Sequence, residues 1–86
     1  MKALPQPGDM VVIRDDLGED VIAVNKDRVV RIPSGSTGIC VSVFDARASN
    51  KSERKAARVP VGVYDVDVLV NGMLVTVWDE EVELMR

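Results

Sequence analysis

Few side chains of this 86-residue sequence are suited to catalysis. The chain has no histidine, so the most common general base is missing and a Cys/His zinc site is excluded. Its single cysteine, Cys40, lies between Ile39 and Val41 with no activating partner beside it, and we interpret it as a small, semi-buried structural residue. The sequence therefore predicts no catalytic residue, and we expect a protein that is not an enzyme.

Two groups of carboxylates could bind a metal ion or act as an acid–base pair. The acidic cluster at residues 79–83 lacks the spaced ligands of a calcium-binding loop, so we interpret it as a solvated turn. Asp65 and Asp67 share one face of a predicted strand, where outward-facing, solubilising charges are the common arrangement. We therefore expect no metal site and no cofactor.

A glycine-rich segment at residues 33–38 could in principle hold a phosphate group. It lacks the lysine of a phosphate-binding loop, and the residues that follow it predict a strand where such a loop would lead into a helix. We therefore predict a structural turn in which Gly35 and Gly38 adopt positive φ.

The apolar composition favours β-structure. The chain contains 17 valines and 4 isoleucines against 5 leucines. Branched side chains of this kind pack well on a pleated sheet and lose rotamer freedom in a helix. The sequence therefore predicts an all-β protein.

The length of the chain predicts a single domain over residues 1–86. No stretch approaches the roughly 18 uninterrupted apolar residues of a membrane span. The first residues also lack the apolar run of a secretory signal peptide. We therefore expect no membrane association and a cytoplasmic location.

The clearest local signal is a β-hairpin near the C-terminus. Residues 64–70 and 73–78 alternate with period two on either side of Asn71 and Gly72, and this dipeptide favours a type I′ turn. A two-residue turn fixes the register from Val70 opposite Met73 to Asp65 opposite Trp78.

The register gives the hairpin two different faces. The face predicted to join the core carries apolar side chains: Val66, Val68, Val70, Met73, Val75 and Val77. The second face is mixed, and we expect it to be at least half exposed: Asp65, Asp67, Leu69, Leu74, Thr76 and Trp78. The alternative is that the N-terminal arm at residues 4–5 or the segment at 45–60 covers this face.

Further short strands are predicted on both sides of this hairpin, at residues 9–14, 21–24, 28–32, 39–44 and 82–84. Between the second and third of them, a three-residue turn is expected to place a left-handed residue at Asn25 or Asp27. In the strand at residues 39–44, simple alternation places Ile39, Val41 and Val43 on one face.

Three segments of the chain resemble the SH3-like barrel superfamily. They are PGDMVVI at residues 7–13, IPSGSTGICV at 32–41 and WDEEVEL at 78–84. The pattern is similar to small SH3-like proteins of bacteriophages and bacteria and, more distantly, to the variable chain of ferredoxin–thioredoxin reductase and to KOW-type domains. The resemblance implies a small, partly open β-barrel of five to six short antiparallel strands, with a long loop or short helix at about 45–60.

The second face of the hairpin carries the predicted binding residues. Leu69, Leu74 and Trp78 place large apolar side chains there, and exposed tryptophan is enriched at binding hot spots. The sequence therefore predicts a small accessory module that binds another protein or, as a homodimer, a second copy of itself.

A second hypothesis is RNA binding by a KOW-like domain. Residues 47–58 contain one acid and five basic side chains: Arg47, Lys51, Arg54, Lys55 and Arg58. The net charge of −3 and the pI near 4.8 disfavour nucleic acid as the partner, and no aromatic residue lies within the basic segment to stack on bases.

Replacing Arg54, Lys55 and Arg58 together by alanine tests the RNA hypothesis. If the basic segment binds RNA, the parent chain should bind in a filter assay with a steep salt dependence, because phosphate contacts release counterions. The triple variant should lose that binding. Absence of any binding by the parent chain at low salt would remove the hypothesis.

Overall fold

All strands of the described residues belong to one antiparallel β-sheet. The computed structural model describes residues 4–45 and 64–85. The strands are β1 Met10–Ile13, β2 Val21–Asn25, β3 Arg28–Ile32, β4 Ser36–Asp45, β5 Tyr64–Val70, β6 Met73–Trp78 and β7 Val82–Leu84. A 3₁₀ turn at Asp79–Glu81 joins β6 to β7.

The strand order is β3-β2-β6-β5-β4-β1-β7, so the sheet is open and β3 and β7 form its two edges. The predicted all-β fold is confirmed. The described residues form seven strands, one for each segment predicted as a strand, whereas the resemblance to SH3-like barrels implied five to six. The loop or helix predicted at about 45–60 lies outside the described residues, apart from Asp45 at the end of β4.

One face of this sheet forms the hydrophobic core. All seven strands contribute to the cluster, which consists of Val11, Ile13, Val21, Ala23, Ile32, Cys40, Val66, Val68, Val70, Val75, Val77 and Val82. Residues from the two edge strands, Ile32 of β3 and Val82 of β7, belong to the same cluster. The sheet therefore curls around its own apolar face, and the valines that favoured β-structure in the sequence fill the space inside.

The predicted C-terminal hairpin is confirmed. Asn71 and Gly72 have φ of 51° and 76°, the pair of positive values that a type I′ turn requires. All six predicted cross-strand pairs, from Val70–Met73 to Asp65–Trp78, are present. The predicted core face is buried except at Met73, which is partly buried against the cluster.

The turn between β2 and β3 differs from the prediction. Asn25 pairs with Arg28, so the loop has two residues, Lys26 and Asp27. The left-handed residue is Lys26, with φ of 53°. The assignment to Asn25 or Asp27 is wrong because it assumed a three-residue loop.

A β-bulge in β4 overturns the predicted alternation of that strand. Cys40 pairs with Val68 and Ser42 with Asp67, so the register shifts at Val41, which is 45% exposed. One extra residue reverses the faces that follow it. Val43 therefore packs against the core with Cys40, while Ile39 lies on the opposite face, and the predicted grouping of Ile39, Val41 and Val43 is wrong.

Glycine is needed at position 38 for a reason that the sequence did not indicate. Gly35 has the predicted positive φ of 95°, but Gly38 lies in β4 without one. A Cβ atom at position 38 would lie 2.5 Å from the carbonyl oxygen of Leu69 and 2.7 Å from a methyl group of Val68. Gly38 therefore allows β4 to pack closely against β5.

Substituting Gly38→Ala should lower the free energy of unfolding by about 3 kcal/mol, because the backbone of β5 cannot easily move away from the added methyl group. Gly18→Ala is the matched control. A Cβ atom there meets nothing within 4 Å, and only its positive φ of 74° opposes alanine, at a cost of about 1 kcal/mol. Urea unfolding followed by circular dichroism measures both, and equal stability of the two variants would contradict the steric role of Gly38.

Candidate functional site

The three predicted binding residues do not form one compact cluster. Leu69 and Leu74 are cross-strand partners at the turn end of the hairpin and are 44% and 43% exposed. Trp78 is partly buried and pairs with Asp65. It lies four residues further along β6, or about 13 Å from Leu74. The two leucines are therefore adjacent, and the tryptophan is separate from them.

Strand pairing extends the two leucines into a row across the sheet. Ile39 of β4 pairs with Leu69, and Met10 of β1 pairs with Ile39. Beyond Met10, the backbone N–H of Met85 donates to the Met10 carbonyl oxygen at 2.9 Å. We call these five side chains, Met10, Ile39, Leu69, Leu74 and Met85, the apolar row; each is between 43% and 47% exposed.

Contiguity distinguishes the apolar row from ordinary surface side chains. Single exposed apolar residues are common on soluble proteins, whereas contiguous ones mark interaction sites. At about 4.8 Å between neighbouring strands, five positions span roughly 19 Å. Since the sheet curls around its core, the row follows the outer, convex side. Sequence reasoning missed Met10, Ile39 and Met85, because only the pairing of distant strands places them in line with Leu69.

The apolar row ends beside a surface hollow. The side chain of Asn25 donates from Nδ2 to the Leu74 carbonyl oxygen at 2.7 Å and so ties the β2–β3 hairpin to the β5–β6 hairpin. The hollow between the two turns has a volume of about 380 Å³, and its lining includes Lys26, Met73 and Leu74. A partner at the Leu74 end of the row could therefore insert a side chain.

The hairpin face next to the row is buried and polar. The Oδ1 atom of Asp67 accepts a hydrogen bond from Thr76 Oγ1 at 2.6 Å, and its Oδ2 atom accepts one from Ser42 Oγ at 3.2 Å. Asp65, Asp67 and Thr76 are only 1%, 5% and 3% exposed. The interpretation of Asp65 and Asp67 as outward-facing, solubilising charges is therefore wrong. Asp67 links β4, β5 and β6 through side-chain hydrogen bonds.

The acidic cluster at residues 79–83 has structural contacts. Asp79 Oδ1 accepts a hydrogen bond from the Tyr64 backbone N–H at 3.3 Å, and Glu81 Oε1 accepts one from the Trp78 N–H at 2.9 Å. Glu83 forms an ion pair of 3.2 Å with Arg14, with both side chains about half exposed. Within residues 4–45 and 64–85, no group of three or more Cys, Asp or Glu side chains is arranged to hold a metal ion.

Two backbone N–H groups of the glycine-rich segment at residues 33–38 donate to carbonyl oxygens of the protein. Gly35 N–H donates to the Ile13 carbonyl oxygen at 2.7 Å, and Ser36 N–H donates to that of Pro33 at 3.1 Å. The Ser36 hydroxyl also donates to Pro33, at 2.6 Å. These contacts fit the structural turn that the sequence predicted.

Cys40 lies in the core and is 1% exposed, so it is more deeply buried than expected. Burial raises the pKa of the Cys40 thiol, and the nearby carboxylates of Asp9 and Asp67 raise it further. A hydrogen bond to the Ser42 backbone lowers this pKa to a smaller extent. The neutral thiol is therefore favoured, and this environment opposes nucleophilic chemistry.

Substituting Thr76→Val should lower the free energy of unfolding by about 2 kcal/mol, because the buried Asp67 carboxylate loses its shorter hydroxyl donor. The shape of the side chain is kept. Thr37→Val is the control, since Thr37 is an exposed threonine of β4 and its replacement should change stability by less than about 0.5 kcal/mol. The urea midpoints of the two variants give both changes in stability, provided that the dependence of the unfolding free energy on urea concentration is unchanged. Equal midpoints for the two variants would show that the Thr76–Asp67 bond adds no stability.

The alternative basic site is not tested by the structure. Its residues, Arg47, Lys51, Arg54, Lys55 and Arg58, lie outside the described part of the chain, so RNA binding through them stays a prediction.

Among residues 4–45 and 64–85, no helix has the length and apolar character needed to cross a membrane. None of the protein-family models, curated proteins or solved structures compared with the chain matches it. The function must therefore be inferred from the surface itself.

Proposed function

We propose that this protein is a small, non-enzymatic SH3-like accessory module of bacteriophage or bacterial origin that acts in the cytoplasm by binding another protein. The observation that carries the proposal is the apolar row, in which five half-exposed side chains lie in register across the sheet. The predicted binding residues Leu69 and Leu74 belong to this row, and Trp78 lies on the same face of the hairpin.

The size of the apolar row limits what it can contribute to binding. Burying the exposed half of one such side chain stabilises a complex by about 1 kcal/mol, so the whole row contributes about 5 kcal/mol. Lost translational and rotational freedom opposes association by about 4–15 kcal/mol. A partner must therefore also contact the surface around the row, and a concave partner fits this convex site best.

Several features of the chain support a non-enzymatic role. The sequence has no histidine, and the single thiol is held neutral in the core. Asp79 and Glu81 accept backbone hydrogen bonds that organise the 3₁₀ turn. Cys40, Asp79 and Glu81 thus have structural surroundings.

The SH3-like assignment is supported by the curled, open antiparallel sheet together with the three sequence segments that resemble that superfamily. The first of them enters β1, the second turns into β4, and the third forms the 3₁₀ turn and β7.

The double variant Leu69→Glu/Leu74→Lys tests the proposed function. It places two opposite charges side by side in the row, so the hairpin should stay paired while the apolar surface is interrupted. Leu17→Lys is the control, because Leu17 is 82% exposed in the loop before β2. Trp78→Ala is included to assess the third predicted residue.

Each protein is immobilised, and the proteins that it retains from a lysate of the native host are quantified by mass spectrometry. We expect proteins retained by the parent chain and by Leu17→Lys to fall at least tenfold with the double variant. Circular dichroism checks that each variant is folded. Identical retained sets for the control and the double variant would contradict the proposal, and loss of fold in Trp78→Ala would assign Trp78 a structural role.

A further inference from the structure

Strand β3 is an open edge of the sheet. In the described part of the chain it pairs with β2 and with no other strand. It has five residues, and neither proline nor a bulge interrupts it. One side of its backbone can therefore accept a further strand.

The register of the β2–β3 hairpin shows which backbone groups face outward. Asn25 and Arg28 close the two-residue turn and form a hydrogen-bonded pair. Bonded and non-bonded pairs alternate in an antiparallel ladder, so Val29 and Arg31 direct their N–H and C=O groups away from β2. These two residues offer two donors and two acceptors to an incoming strand.

The side chains along this edge are basic and apolar. Val29 is 57% exposed, and Arg28 and Arg31 are exposed as well. Among residues 4–45 and 64–85, neither arginine takes part in an ion pair. With Lys26 and Asp27 in the adjoining turn, the edge has a local charge of +2 in a chain whose net charge is −3. The positive charge of this edge repels the same edge of a second copy and attracts an acidic segment.

We propose that the β3 edge binds an extended acidic segment of a partner protein, which adds to the sheet as an antiparallel strand. The incoming backbone forms four hydrogen bonds with Val29 and Arg31. In antiparallel register, an acidic residue lies opposite Arg31, an apolar residue opposite Val29 and a second acidic residue opposite Arg28. The recognised pattern, read from its N-terminus, is therefore acidic–any–apolar–acidic.

A second copy of this chain fits the edge less well. Its own β3 brings the same positive charge, and its other edge strand, β7, has only three residues, of which the one carboxylate, Glu83, pairs with Arg14. The backbone N–H of Val82 in β7 is already bonded to the Asp79 carbonyl oxygen. The β3 edge is also separate from the apolar row, so this inference does not depend on the proposed function.

Peptide titration of the folded protein tests the inference. The probe is an acetylated and amidated octapeptide, Thr-Thr-Glu-Thr-Val-Glu-Thr-Thr, and a second peptide has lysine in place of both glutamates. Titration into ¹⁵N-labelled protein at low salt should shift the amide signals of residues 28–32 with the glutamate peptide only. The variant Leu69→Glu/Leu74→Lys should bind the peptide as the parent chain does, which separates this site from the apolar row.

Two variants identify the contacts at the edge. Arg31→Pro removes an outward N–H and leaves the hydrogen bonds to β2 in place, so it should weaken binding at least tenfold. Arg28→Glu/Arg31→Glu should lose the glutamate peptide and bind the lysine peptide, which keeps the test decisive if the proline variant fails to fold. The inference is overturned by absence of binding at millimolar peptide, by binding insensitive to both variants, or by a dimer in sedimentation equilibrium that Arg31→Pro abolishes.

Discussion

The burial of one face of a single sheet is the constraint on which the described structure depends. A sheet buries an apolar face by packing against a second layer or by curling over itself. Residues from both edge strands share one cluster here, so curling is the solution in this chain. Valine suits the interior of a tightly curled sheet because it is short, branched and stiff. At position 38 of β4, where a Cβ atom would collide with β5, glycine provides no side chain.

The register that builds the core also determines the outer surface. Side chains alternate between the faces of a strand, so placing Val68 and Val75 inside places Leu69 and Leu74 outside. The same pairing brings Asp67 beside Thr76, and the bulge at Val41 brings Ser42 within hydrogen-bonding distance of Asp67. The exposed apolar row and the buried polar group are thus two consequences of one set of strand pairs.

An open sheet also has two edges, and here the two edge strands differ in length, charge and hydrogen bonding. The β7 edge is short, and the 3₁₀ turn before it engages the Val82 N–H. The β3 edge is longer and carries arginines beside an exposed valine. Charged side chains on an edge prevent pairing with identical edges. The same charges can select an oppositely charged strand, so the separate binding surfaces proposed above both follow from the curled, open architecture.

The sequence by itself determined the features that depend on a few neighbouring residues. Asn71 and Gly72 favour positive φ locally, which was sufficient to predict the turn and its register, and the alternation of apolar side chains predicted the core face. Tertiary structure decided the bulge at Val41, the steric need for Gly38, the burial of Asp65 and Asp67, and the alignment of Met10 and Ile39 with Leu69. These features arise from pairing between strands that lie far apart in the chain. The free energy of each such pair depends on the packing of the whole sheet, and no short segment encodes that packing.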